Sequence, residues 1–308
     1  MAGLNSMTHQ NNNNKLRLAL WALVLPPLFW SGNTVLGKFT VIHVPPLLLN
    51  TLRWGLAAVL FAPFSWAYVK RDWDILFKHR WHMLGFALTG AVGYNSFLYL
   101  GLRSTSIVNA SLILATTPAV FGALTALLLR ERITAWQWFG ALISMLGVLQ
   151  IALRGDWLAL ASLNVHLGDV YVFAGVLSYS LYTVFLRFVP RVHPFAFMQV
   201  FFTLGCLGTL LWLTMNVAFG GSVSIDVPWS AVAWQIGYMA IFASIAATFF
   251  WNFGVKYVGA IRAGYYINLI PVFTIIWAVF LVGETVKFYQ MVGMLVVCFG
   301  LLLALIKK

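Results

Sequence analysis

Of the chain's 308 residues, 62% are hydrophobic and only 8% charged, far from the roughly half apolar and one-quarter charged of soluble domains. Every polar interval is shorter than about 20 residues, which leaves no room for a soluble catalytic or signalling domain. The net charge of +12 would suggest nucleic acid in a soluble protein. Here the basic residues sit at the ends of apolar runs, so the partner they imply is a lipid bilayer and no nucleic acid is called for.

The chain opens on MAGLNSMTHQNNNNKLR, polar, rich in Asn and without a small-residue cleavage site, so residues 1–15 read as a disordered cytoplasmic tail and not a signal peptide. A helix needs about 20 apolar residues to cross the hydrocarbon core. Ten such runs follow, roughly at 18–42, 47–69, 83–103, 106–129, 135–153, 168–188, 194–218, 231–255, 262–282 and 288–306. The fold class expected is all-α, a polytopic membrane protein of ten transmembrane helices. Thr134 and Gln137 form a capping-box pattern ahead of the fifth run, and residues 154–167 read as a periplasmic linker. Cys206 and Cys298 fall inside apolar runs with no metal-ligand spacing around them, so no disulfide, metal or cofactor is implied.

With the N-terminus inside, 14 of the 19 Lys and Arg residues fall at cytoplasmic ends, from Lys15 and Arg17 to Lys307 and Lys308. The outer side holds Lys38, Arg103, Arg154 and Lys287, and Arg53 lies a little inside the second run. That bias places both termini in the cytoplasm.

Shifted by 153 residues, TPAVFGALTALLLRER (117–132) lies on IPVFTIIWAVFLVGET (270–285), pairing Pro118 with Pro271. The same offset pairs Gly101 with Gly254, Ala110 with Ala263, Glu131 with Glu284, Gln137 with Gln290, Gly140 with Gly293 and Gly147 with Gly300. An offset of 149 sets WSGNTVLGK (30–38) on YSLYTVFLR (179–187) and pairs Pro45 with Pro194. The chain is a five-span unit written twice, 16–153 and 168–308. Five is odd, so the second copy enters from the opposite face, giving two inverted five-helix repeats of the kind found in secondary transporters. A proline inside a span frees a backbone carbonyl. Pro118 and Pro271 therefore read either as paired helix breaks near a ligand or as bends that serve packing.

The stretch LRSTSIVNASLILATTPAVFGALTALLLRERITAWQWFGALISMLGVL, its echo VKYVGAIRAGYYINLIPVFTIIWAVFLVGETVKFYQMVGMLVVCFGLL, and FWSGNTVLGK with PPLLLNTLRW closely resemble the EamA family of the drug/metabolite transporter superfamily. The resemblance covers nearly the whole chain from about residue 20. One departure is Arg130 before Glu131 where the second copy has Gly283 before Glu284. The resemblance implies ten helices, a bacterial inner-membrane location and carrier-mediated movement of a small metabolite. Its members handle amino acids, sugars, nucleotide-like metabolites and drugs.

All seven acids, Asp72, Asp74, Glu131, Asp156, Asp169, Asp226 and Glu284, map to loops or span ends, so no carboxylate proton relay is expected. Arg53 either snorkels to the interface or meets a substrate carboxylate. The other candidate lining residues are Trp30 and Asn33 in the first span and Tyr94, Asn95 and Tyr99 in the third. Tyr179 and Tyr182 in the sixth, Trp251 and Asn252 in the eighth, and Tyr265 and Asn268 in the ninth complete the set. Each is readable singly as helix packing; gathered on corresponding helices they read as a cavity lining. An intramembrane enzyme would need catalytic groups, and no HExxH, aspartate pair or Ser–His arrangement is present, so no catalytic residue is assigned. The expected function is a secondary transporter for a small-molecule substrate. A cavity without carboxylates disfavours organic cations, leaving a neutral amino acid or similar zwitterion, exported if the resemblance holds. A multidrug or other metabolite carrier, and outside carriers a membrane-embedded enzyme or receptor, are the alternatives.

Overall fold

A computed structural model describes residues 14–101, 104–105, 107–162, 166–221, 227–283 and 285–305. Of the expected tail, residues 1–13 lie outside the described residues, whereas 14 and 15 already belong to a helical segment. Arg103, Asp226 and Glu284 also fall outside. The described chain is helical and holds no strand.

The first repeat comprises five helices. A helical segment from residue 14 turns at Leu23 and Val24 and continues as α1 (Leu25–Thr40), with Pro26 and Pro27 in its first turn. Then come α2 (Pro46–Lys78) and α3 (Arg80–Gly101). α4 is in two pieces, Ile107–Ala115 and Thr117–Leu129, and α5 is Ala135–Ala152. The second repeat runs α6 (Leu167–Phe185), α7 (Pro194–Ala218), α8 (Trp229–Val258), α9 in two pieces, Ala260–Tyr266 and Leu269–Val282, and α10 (Phe288–Leu305). Among the described residues nine helices are long and apolar enough to cross a membrane, and the second piece of α4, Thr117–Leu129, is a shorter apolar helix; α4 is the tenth span. Alternate crossings put residue 14 and Leu305 on one side, called here the terminal face, and the α5 to α6 connection on the far face. Within that connection Trp157–Ser162 forms a short 3-10 turn.

α2 overruns its expected end at residue 69 by nine residues, about 13 Å of helix. The charged extension is held from outside the apolar run: Asp72 accepts from the Arg71 guanidinium at 2.8 Å and from the His193 backbone N–H at 2.6 Å. The His193 ring stacks on Tyr68 with centroids 3.7 Å apart. The capping box at Thr134 and Gln137 forms, and at the matched position in the second repeat the Lys287 N–H donates to Gln290.

The two repeats meet along matched helices, α2 on α7 and α5 on α10. In lipid, helices associate by close packing and not by exclusion of water, so small residues mark the contact. A Cβ on Gly140 would lie 2.7 Å from the Gly300 carbonyl, and one on Gly293 would lie 2.8 Å from the Gly147 carbonyl. Residues 140 and 147 become 293 and 300 under the 153-residue offset, so the two contacts exchange. That exchange is the signature of a pseudo-twofold axis through an antiparallel seam.

A second symmetric feature went unread in the sequence. α3 and α8 each contain a π-helical segment, Ala87–Gly93 and Met239–Ala246, again about 153 residues apart. Such segments misalign the backbone ladder and are frequent at functional sites. Each gives a carbonyl to the opposite repeat: Ser178 of α6 donates to Thr89 O at 2.9 Å, and Trp30 of α1 donates its indole N–H to Ala243 O at 3.1 Å.

Candidate central cavity

Between the repeats lies a cavity of about 560 Å³, within the range of about 300–1,000 Å³ usual for small-ligand sites. Its floor is near the middle of the spans, at the π segments and the breaks in α4 and α9. Gly90 and Ala243, which the offset equates, both line it. Gly90 is needed as glycine, since a Cβ there would lie 2.6 Å from the Tyr182 ring. Toward the far face the lining continues along the second piece of α9 through Thr274 and Ala278 to Arg154, Tyr289 and Gln290 at the ends of α5 and α10.

Nine of the candidate residues come together on this surface: Trp30, Asn33, Arg53, Tyr94, Asn95, Tyr179, Tyr182, Trp251 and Asn268. An aromatic cluster forms the floor, with Trp30 edge-on to Tyr179 at 5.7 Å and 5.3 Å from Trp251, and Tyr94 5.0 Å from Tyr179. Tyr182 donates to the Asn252 side-chain oxygen at 2.8 Å and Trp251 to Thr183 at 3.3 Å. The Asn268 amide, at the break in α9, donates to Ser144 of α5 at 2.9 Å. Three candidates stand behind the lining. Tyr99 lies beside Arg53, Asn252 supports Tyr182, and Tyr265 is 2% exposed within the packed core.

The prolines occupy the first turns of the second pieces of α4 and α9, where a missing N–H leaves little unpaired. The carbonyls they release are taken up locally. Leu114 O accepts the Thr117 hydroxyl, and Ile267 O accepts the Ile270 N–H at 2.9 Å. Pro271 lines the cavity and Pro118 does not.

Arg53 lies seven residues along α2, roughly 10 Å from its far end. It is 5% exposed, so its guanidinium stays within the protein and does not snorkel out. Its plane sits 4.6 Å from the Trp54 ring centre, and its Nε has no hydrogen-bond partner among the described residues. Asn33 Oδ1 is likewise buried and unpartnered. No Asp or Glu is among the described lining residues. Below the floor the protein is closed: Phe121 is fully buried 6.3 Å from Tyr179 and 6.4 Å from Trp251. Beyond it, Glu131 after α4 pairs with Arg187 after α6 on the terminal face.

Sequence reasoning missed Trp54, Phe201, Thr248 and Thr274, and the rim residues Arg154, Tyr289 and Gln290. For Gln290 a signal existed, its repeat match to Gln137; for Trp54 it was adjacency to the one arginine inside a span.

Two inverted five-helix units around a cavity that reaches one face define the class: a polytopic helical membrane protein built on transporter architecture. The chain belongs to the EamA-like transporter family, which it matches over residues 17–153 and 166–306. It is 29% identical to YyaM of Bacillus subtilis, named an uncharacterized transporter, with 93% of each chain covered. It is 27% identical to an uncharacterized transporter of Archaeoglobus fulgidus, over 96% of this chain and 99% of that one. A probable amino-acid metabolite efflux pump of Salmonella typhimurium is 26% identical over 92% of each. A solved crystal structure superposes with a TM-score of 0.72 over 94% of this chain and 96% of the other at 17% identity, a likeness of fold.

Proposed function

We propose that the protein is a secondary carrier that exports a small carboxylate-bearing amphipathic metabolite, with a neutral amino acid as first candidate, across a bacterial inner membrane. Both termini are cytoplasmic on this reading, as the basic bias requires, and the cavity then opens to the periplasm. Alternating access exchanges the conformations of the two repeats, opening the terminal face as the far face shuts. One observation carries the reading: a cavity between the repeats, aromatic at its floor, with the buried and incompletely bonded Arg53 in its wall. The Salmonella relative's name points the same way.

The test is counterflow. Purified protein in liposomes preloaded with a mixture of unlabelled neutral amino acids is expected to accumulate external labelled amino acid transiently, above protein-free liposomes. No counterflow with any of the neutral amino acids would overturn the amino-acid candidate, and none with any carboxylate metabolite would overturn the carboxylate-carrier reading.

A further inference from the structure

We propose that the cavity selects a monoanionic carboxylate bearing an apolar group, such as a branched or aryl 2-oxo acid, over the zwitterionic amino acid with the same side chain, with Arg53 setting that preference. This rests on the cavity being the transport site, and within the carboxylate class it places the 2-oxo acid ahead of the neutral amino acid named above.

The reasoning is charge balance in a low-dielectric enclosure. Arg53 and Arg154 both line the cavity, the first deep and the second at its rim, and no carboxylate lines it among the described residues. The ion pairs of the described structure, Arg71 with Asp72 and Glu131 with Arg187, involve neither. A buried guanidinium without a carboxylate is strongly disfavoured unless something completes it. Trp54 covers one face and the Tyr94 and Tyr99 hydroxyls lie beside it, all neutral groups that leave the charge unbalanced. A single negative charge on the ligand balances Arg53 without remainder. The rim arginine adds a field that concentrates anions at the mouth.

An ammonium group has no comparable partner. The groups able to meet a cation without a carboxylate are ring faces and amide oxygens. Of the lining rings, Tyr179, Tyr182 and Trp251 are only 8%, 2% and 1% exposed, and the partly exposed Trp30 and Tyr94 are packed on Tyr179 at 5.7 and 5.0 Å between centroids; a ring face attracts a cation but brings no neutralising charge. Asn33 Oδ1 is a buried acceptor without a partner among the described residues, which suits a hydroxyl or a hydrate as well as an ammonium and neutralises nothing. An amino acid therefore enters with its carboxylate matched and its ammonium desolvated, whereas the corresponding 2-oxo acid carries only the matched charge.

Calorimetric titration of the purified full-length protein in nanodiscs with paired ligands tests this. The probes are 4-methyl-2-oxopentanoate against leucine, phenylpyruvate against phenylalanine, and leucinamide as a carboxylate-free control. Wild-type protein is expected to bind each oxo acid at least tenfold more tightly than its amino acid and leucinamide not at all. Arg53→Gln is expected to lose the oxo-acid preference, and Arg53→Lys to keep it in part. Amino acids binding as tightly as their oxo acids, or more so, would overturn the proposal while leaving the carrier reading intact. Equal binding of leucinamide would overturn the role of Arg53. If no probe binds the wild type and none supports counterflow, the carboxylate-carrier reading itself fails. The wild-type comparison decides the charge preference even if Arg53→Gln does not fold.

Discussion

The two repeats share a fold and an offset, yet equivalent residues live in different surroundings. Thr274 of α9 lines the open cavity, while its counterpart in α4, Phe121, is fully buried, and a Cβ on Gly264 would lie 2.5 Å from its ring. Pro271 faces the cavity and Pro118 is buried. By contrast, the α5 to α10 seam is the same seen from either repeat. Contacts that respect the axis hold the halves together; contacts that break it define which face is open. On the carrier reading, the second set exchanges between repeats during the cycle and the first stays fixed.

The largest expected effect comes from the fixed set. Gly300→Val puts a Cβ 2.8 Å from the Gly140 carbonyl, and backbone cannot step aside as a flexible side chain can. Loss of monodisperse protein is expected in size-exclusion chromatography. Gly85→Val, whose Cβ would meet nothing within 4 Å, is expected to purify normally. Recovery of folded Gly300→Val at wild-type yield would mean the seam is not the fixed axis.

A smaller, conformational effect is expected from the asymmetric set. Phe121→Ala removes the ring that fills the space beneath the aromatic floor, at about 3 kcal/mol for the closed terminal face, a population shift of more than a hundredfold toward opening there. A cysteine placed at Thr125, 1% exposed, in protein lacking Cys206 and Cys298, reads this out. Labelling by an impermeant maleimide from the terminal face is expected to be slight, and to rise severalfold when Phe121→Ala is added. Equal labelling with and without Phe121→Ala would show that the ring does not hold that face shut.

The same contrast explains what the sequence made legible. Spans, repeat and seam glycines follow from composition and spacing, because hydrocarbon thickness fixes helix length and a repeat preserves its close approaches. Nine of the twelve amide, aromatic and arginine candidates fall on the cavity surface, since amides and tyrosines deep in a span need a partner or a cavity. Tyr99, Asn252 and Tyr265 do not, because helical rotation decides between the lining and the shell behind it, and the π segments of α3 and α8 shift that rotation within the span. Nothing in the apolar strings ALTGAVG and MAIFASIA marks such a shift except its recurrence at one offset. Which face is open was also illegible: Phe121 and Thr274 hold equivalent positions, and the structure buries the first and leaves the second lining the cavity.

The smallest expected effect removes a difference between the repeats. α4 ends with Arg130 in the left-handed region at φ 55°, and α9 ends at the matched Gly283 with φ 72°. Glycine adopts this conformation freely, whereas a residue with a Cβ is strained there, which is why helices so often end on it. Arg130 makes no ion pair among the described residues, the neighbouring Glu131 being held by Arg187 instead. Arg130→Gly is therefore expected to relieve strain without loosening that pair, raising stability by about 0.5–1 kcal/mol, and Gly283→Arg to lower it by a similar amount. Because thermal unfolding entropy grows with chain length, the shift in melting midpoint is only about 1 °C for a chain of 308 residues. Replicate differential scanning measurements on the purified variants resolve it. Opposite signs for the two substitutions would attribute the effect to backbone conformation. A fall in the midpoint for both would show instead that the Arg130 side chain stabilises the terminal face by a contact stronger than the strain it imposes.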